Sequence, residues 1–214
     1  MEAATGDFIS FVDPDDILNP IYFEHLHQQI EKYDSDIAVC GYNIILNDDP
    51  SQLHSQRFPD QEKAVGVYTW QEWFTQYGSL YNLIWLSLTG PWAKLMKKKC
   101  AKGVFFPTDR KYAEDTKTMW KFYLNASKIS YEQFAGYTYN QPTNSERKTG
   151  IQLYELVHAL EEQMSVTLGL GLNIDSTCNV YYTAISTACD YTKHAGLTKE
   201  YQELSYKLNH LENG

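Results

Sequence analysis

Long apolar runs are what this 214-residue chain most plainly lacks. None approaches the ~20 residues of a membrane span, and the opening MEAATGDF has neither the basic start nor the apolar core of a secretory signal. The expectation is a cytoplasmic chain, peripheral at most to the inner face of a membrane. Cysteine is scarce: Cys40, Cys100, Cys178 and Cys189 form no CxxC pair and have no histidine at metal-ligand spacing, which argues against a zinc site. Cys178 and Cys189 fall on one helical pattern about 16 Å apart, too far for a disulfide, so reduced thiols are expected. Positive charge is in deficit. Eighteen Lys and Arg against twenty-seven Asp and Glu give a net charge of −9, which opposes general attraction to nucleic-acid phosphates. Internal repeats and low-complexity segments are absent, and the length fits one sizeable domain, or a domain with an appendage.

Aromatic residues, by contrast, are abundant, with 17 Tyr, 9 Phe and 5 Trp. Their apolar faces and polar edges suit carbohydrate clefts and ordinary cores alike. Phe8 to Val12 is β-rich and bounded by Gly6-Asp7 and Asp13-Pro14, which predicts a short buried strand. Asn19 is expected to cap a helix with Pro20 at its first position, and Tyr22, Leu26, Ile30 and Tyr33 form that helix's apolar stripe. Asp36 to Leu46 is rich in β-branched and apolar residues and predicts a second strand. Strand, helix and strand make a βαβ unit, with Asp13, Asp15 and Asp16 at the first strand's carboxyl end, where open α/β sheets bind ligands.

Asn47 to Gly66, broken by Pro50 and Pro59, reads as a surface excursion. Thr69 to Leu88 is expected to be mostly helical, and Gly90-Pro91 ends it. PWAKLMKKKCAKGVFFP then predicts a short helix followed by an extended segment. A helix begins at or just after Glu114-Asp115, with Met119, Phe122, Tyr123 and Ala126 on one face and Lys117, Lys121 and Asn125 on the other. Ile129 to Tyr139 is expected to be the last strand. Beyond the loop QPTNSERKTG, three apolar stripes predict three tail helices: Leu153, Leu156, Val157, Leu160 and Met164; Cys178, Tyr181, Ile185 and Cys189; Tyr201, Leu204, Leu208 and Leu211. The division expected is residues 1–147 for the α/β part and 148–214 for a helical tail without identifiable chemistry.

Asp13 and Asp15 flank Pro14, whose fixed φ stiffens the loop. Two carboxylates there suit Mg²⁺ or Mn²⁺, which take one or two protein carboxylates and complete their shells with water and phosphate oxygens. An Asx turn with acids at a helix start explains the same residues, and on the residues alone it is the simpler account. Glu114 and Asp115 likewise sit where acids favour a helix N-terminus.

The words around these acids carry a resemblance. ATGDFISFVDPDDILNPIYFEHLHQQIEKYDSDIAVCGY closely resembles the middle of family 2 glycosyltransferases, and PWAKLMKKKCAKGVFFPTDRKYAEDTKTMWKFYLNASKISYEQFAGYTYNQPTNS resembles the same family's downstream "W-x-K-L", "F-P…E-D" and "Y-x-Y…S" block. Together they span about residues 3 to 145. The resemblance implies an α/β fold, a partial GT-A (Rossmann-like) sheet with flanking helices, here followed by a C-terminal α-helical tail. It implies inverting transfer of a sugar from a nucleotide-diphosphate donor, such as a UDP-sugar, to a glycan or lipid-linked acceptor in polysaccharide biosynthesis at the cell envelope. Asp13 and Asp15 would be its DxD pair, with Asp15 the more direct ligand of Mn²⁺ or Mg²⁺ and Asp13 nearer the donor's ribose and phosphate. Asp16 would shape the loop or touch the donor sugar. Asp115 would be the catalytic base and Glu114 an acceptor or loop contact, while Trp92 and Lys94 would line the acceptor cleft. Lys97, Lys98, Lys99 and Lys102 make a local basic patch, either a solvated face or a contact for anionic lipid. The family's usual opening words, "P-x-Y-N", "D-D-x-S-x-D" and "N-x-G", have no counterpart here. The matched part therefore corresponds to a whole donor lobe less roughly its first 80 to 90 residues. Two expectations follow: an inactive or purely binding chain as the alternative to an enzyme, and self-association through an exposed strand edge.

Overall fold

The computed structural model describes residues 4–46, 49–54, 61–108, 112–141 and 146–213. Two long neighbouring strands form the centre of a mixed sheet, β3 (Ile37–Leu46) and β7 (Lys128–Gln141), which run parallel. Each carries two short antiparallel strands along its outer side. Beside β3 lie β6 (Lys94–Lys97) and β4 (Asp49–His54); beside β7 lie β5 (Gly66–Thr69) and β2 (Ile17–Leu18). Among the described residues β1 (Phe8–Ile9) pairs only with β6, as the outermost strand.

Strand β1 is two residues long rather than five, because the chain leaves the sheet after Ile9 and Val12 is exposed. Since β1 and β3 both run antiparallel to β6, they point the same way, with β6 inserted between the two strands of the expected βαβ unit. The intervening helix, α1 (Tyr22–Tyr33), starts two residues later than Pro20. Asn19 instead caps a preceding turn, its Oδ1 accepting from the Ile21 N–H at 3.1 Å. Tyr22, Leu26 and Ile30 are buried as expected.

The excursion after β3 contains a strand, β4, which forms a hairpin with β3 where a plain surface loop was expected. Pro59 and the residues Pro142 to Ser145 of the later loop lie outside the described residues. Thr69 opens α2 (Trp70–Thr75) through a reciprocal capping box with Glu72. α3 (Tyr77–Thr89) follows and kinks at Ile84 (φ −134°, ψ 31°). The segment KLMK, expected to begin a short helix, is β6 instead: its backbone pairs with both β1 and β3, and Met96 is completely buried. A 3₁₀ turn, Lys98–Ala101, comes after it. α4 (Glu114–Leu124) and the three tail helices, α5 (Glu146–Gly169), α6 (Asp175–His194) and α7 (Thr198–Asn213), match their predicted places.

The sheet is covered on both faces, as strand alternation requires. Ala38, Cys40, Tyr42 and Ile44 meet α1 on one side, while Ile37 and Val39 meet α2, α3 and α4 on the other. The core on that second side continues without a break into the tail through Val157, Leu160, Ile185, Ala188 and Leu204. Lys117 and Lys121 of α4 pair with Glu162 of α5, so the polar face of α4 is also a helix contact. Leu211 is exposed and lies off the tail's packed stripe. Among the described residues no helix is long and apolar enough to cross a membrane.

Candidate active site

The loop between β1 and β2 closes on itself and is then fastened to β7. The Asp16 N–H donates to the Asp13 carbonyl at 3.2 Å, a turn that Pro14 favours. The Asp16 carboxylate points back into the fold, where it accepts from the Asn140 N–H at 2.7 Å and from the Tyr137 hydroxyl. The same hydroxyl accepts from the Asp13 N–H at 3.1 Å. Asp16 is thus the loop's staple. Asp13 and Asp15, by contrast, have side chains without hydrogen bond or ion pair among the described residues. Burial, then the charges of Asp15 and Glu114, raise the Asp13 pKa above the usual carboxylate range.

Glu114 and Asp115 open α4 behind Ala113, which takes a left-handed conformation (φ 57°) and receives the Lys117 N–H at 3.0 Å. Among the described residues no side chain caps the helix with a hydrogen bond. Burial pushes the Asp115 pKa up to about 7, helped by the nearby charges of Glu114 and Asp13 and opposed by Lys94. The fold therefore brings Asp13, Asp15, Glu114 and Asp115 into one electrostatic group from segments about a hundred residues apart in sequence. A carboxyl titrating near neutrality suits proton abstraction.

Asp115 also forms part of the wall of a cleft of about 580 Å³. Trp92 lines it with an edge, since its indole is stacked on Tyr137 (4.7 Å between centroids) and Tyr139 (5.2 Å) and is almost wholly buried. Period-two alternation near the end of β7 puts those two tyrosines on one face. Lys94 is not part of the lining. It is fully buried, and its ammonium donates to the Gly90 carbonyl and, at 2.7 Å, to the Trp92 carbonyl. Its pKa falls to about 7 through burial. Lys94 thereby holds the backbone of two lining residues, Gly90 and Trp92, beside a left-handed Ala93 (φ 56°).

The remaining lining residues were not marked by the sequence. Trp85, placed at the rim just past the kink of α3, is 46% exposed. Thr149, Gln152, Leu153 and Leu156 of α5 form the opposite wall. Their i, i+3, i+4, i+7 spacing was the available signal: two polar residues share the face of two leucines that an ordinary core stripe would keep apolar. The basic patch is largely spent on structure, since Lys97 and Lys99 pair with the buried carboxylate of Asp36 at 3.1 and 2.8 Å. Among the described residues, no group of three or more His, Cys, Asp or Glu side chains is arranged to hold an ion. Asp13 and Asp15 nevertheless fit a hard cation that takes one or two protein carboxylates, because a positive charge there would offset the burial and the repulsion from Asp15 and Glu114 that raise the Asp13 pKa.

A family model described as Glycosyl transferase family 2 matches residues 1–105. Over that stretch, just under half of its length, the chain is similar to glycosyltransferase family 2. The matched segment takes in the loop acids, Trp92 and Lys94 and stops short of α4. Glycosyltransferase GlyG of Streptococcus pneumoniae serotype 4 is 26% identical over 97% of this chain, which spans 70% of the relative's length. GlyA of the same organism is 25% identical over 95% of the chain, which spans only 29% of that protein. A solved structure of S. aureus TarS 1–349 in complex with UDP-GlcNAc aligns with a TM-score of 0.49 and 16% identity, covering 97% of this chain and 70% of that one.

Proposed function

We propose that this glycosyltransferase moves a sugar from a nucleoside-diphosphate donor, a UDP-sugar by family resemblance, to a hydroxyl of a glycan or lipid-linked acceptor, with inversion at the anomeric carbon. The observation that supports this reading is the position of Asp115, a carboxyl titrating near neutrality between the Asp13–Asp15 pair and an open cleft. Asp13 and Asp15 would hold Mn²⁺ or Mg²⁺. Such an ion supplies Lewis-acid compensation for the charge that grows on the leaving diphosphate. Asp16 keeps the loop in register on β7 and leaves the two carboxylates free to face the donor.

On the cleft side, the acceptor hydroxyl attacks the anomeric carbon from the face opposite the diphosphate. The new carbon–oxygen bond forms as the old one breaks, the electron pair leaves with the diphosphate, and the hydroxyl proton passes to the Asp115 carboxylate. Glu114 keeps that carboxylate basic by its negative charge and contacts the acceptor or the loop. The test is nucleotide-sugar consumption in Mn²⁺ by the wild-type protein and Asp115→Asn. Turnover falls roughly 10²- to 10⁴-fold in the variant, with the donor Kd, measured separately, nearly unchanged. Equal turnover in both would remove Asp115 from the reaction.

A further inference from the structure

The cleft beyond Asp115 has a composition that bears on what binds there. Trp85 exposes its indole at the rim, and Tyr139 stands half-buried beside it. Gln152 and Thr149 face across from α5, and Thr116 follows the base in α4. Asp115 is the one charged side chain in the lining among the described residues. Flat apolar faces with neutral hydrogen-bonding groups around them suit a ligand that is itself uncharged, hydroxylated on its edges and apolar on its ring faces. A phosphate at the same place would meet acidic groups and no described cation in the wall.

Building on the transfer reading above, we infer that the cleft is an acceptor site for a neutral pyranoside, whose ring packs on Trp85 and whose hydroxyls are oriented by Gln152 of the tail's first helix. The tail is then part of the binding machinery rather than an appendage. Leu153 and Leu156, which share the α5 face with Gln152, supply the apolar floor and fix how deeply the sugar enters. Phosphate-bearing acceptors would reach the base only with a neutral sugar unit leading.

Saturation-transfer NMR on the intact chain tests this without any donor. The probes are the methyl glycosides of glucose, galactose and N-acetylglucosamine, with glycerol 3-phosphate as the anionic contrast. The expected result is saturation of at least one glycoside, weakened by about five- to tenfold in Kd in Trp85→Ala, weakened also in Gln152→Ala, and none of glycerol 3-phosphate. Both positions are at least partly exposed, and an unchanged melting temperature confirms that each variant folds. Silence of every glycoside overturns the inference, as does a glycoside signal indifferent to both variants or a glycerol 3-phosphate signal in its place. The transfer reading itself fails on a different readout, the nucleotide-sugar consumption of Asp115→Asn.

Discussion

The two halves of the site are held in opposite ways. The Asp13–Asp16 loop is short, partly exposed and fastened to β7 through the Asp16 carboxylate and the Asp13 N–H, which meet at the Tyr137 hydroxyl. The cleft is walled by α3, the start of α4 and α5, which share one continuous core, and by the end of β7, which with Trp92 belongs to the core under α1. A binding loop that must accept a charged donor and release it gains from few ties. A cleft that must present one hydroxyl to one carboxylate gains from a rigid frame.

The largest effect is expected at the carboxylate that staples the loop. Asp16→Ala leaves the Asn140 N–H and the Tyr137 hydroxyl without their acceptor, and hydrogen bonds to a charged group are worth about 1.5–3 kcal/mol each. Donor affinity should fall more than tenfold, read by titration with UDP in Mn²⁺, while glycoside binding in the cleft stays. Loss of both together would show the halves to be one unit. On the other side, Gly78 of α3 lies so close to α6 that an added Cβ would stand 2.1 Å from the Ser176 carbonyl oxygen. Gly78→Ala should cost about 1–3 kcal/mol as the tail is pushed away. Thermal unfolding reads that loss, and the cleft should weaken before the loop does.

A subtler change separates charge from framework. With its pKa at about 7 rather than the ordinary 3.8, Asp115 is a base above neutrality, so transfer should fall as pH drops through 7. The sign for stability is the reverse: the fold favours the protonated form, and ionisation costs stability as pH rises from about 4 to 7. Lys94→Met removes the cation that opposes the shift, so the acidic limb of the rate profile should move to higher pH. The smallest effect belongs to Lys99→Ala. Asp36 keeps Lys97 and the Ser127 N–H, and the loss should stay under about 1 kcal/mol by denaturant titration.

What was legible in the sequence follows the same division. Asp13, Pro14, Asp15 and Asp16 are adjacent in the chain, so their loop could be read from one stretch, as could α1 from its periodicity and β3 from its β-branched, apolar composition. Lys94 to Lys97 looked helical because Lys, Leu and Met are good helix formers, yet pairing with β1 and β3 overrode that propensity. Lys94 looked like a cleft residue, but its ammonium is used on the carbonyls of Gly90 and Trp92. The wall from Trp85 and Gln152 was hidden because it depends on a kink at Ile84 and on how α5 docks, neither of which a local pattern encodes.

The most direct measurement of the central claim is anomalous diffraction from a crystal soaked in Mn²⁺ and UDP. The account predicts a manganese peak at the loop that carries Asp13 and Asp15, beside the diphosphate, with Asp115 facing the cleft. A diphosphate bound elsewhere, or a loop whose two carboxylates stay clear of any metal, would contradict it.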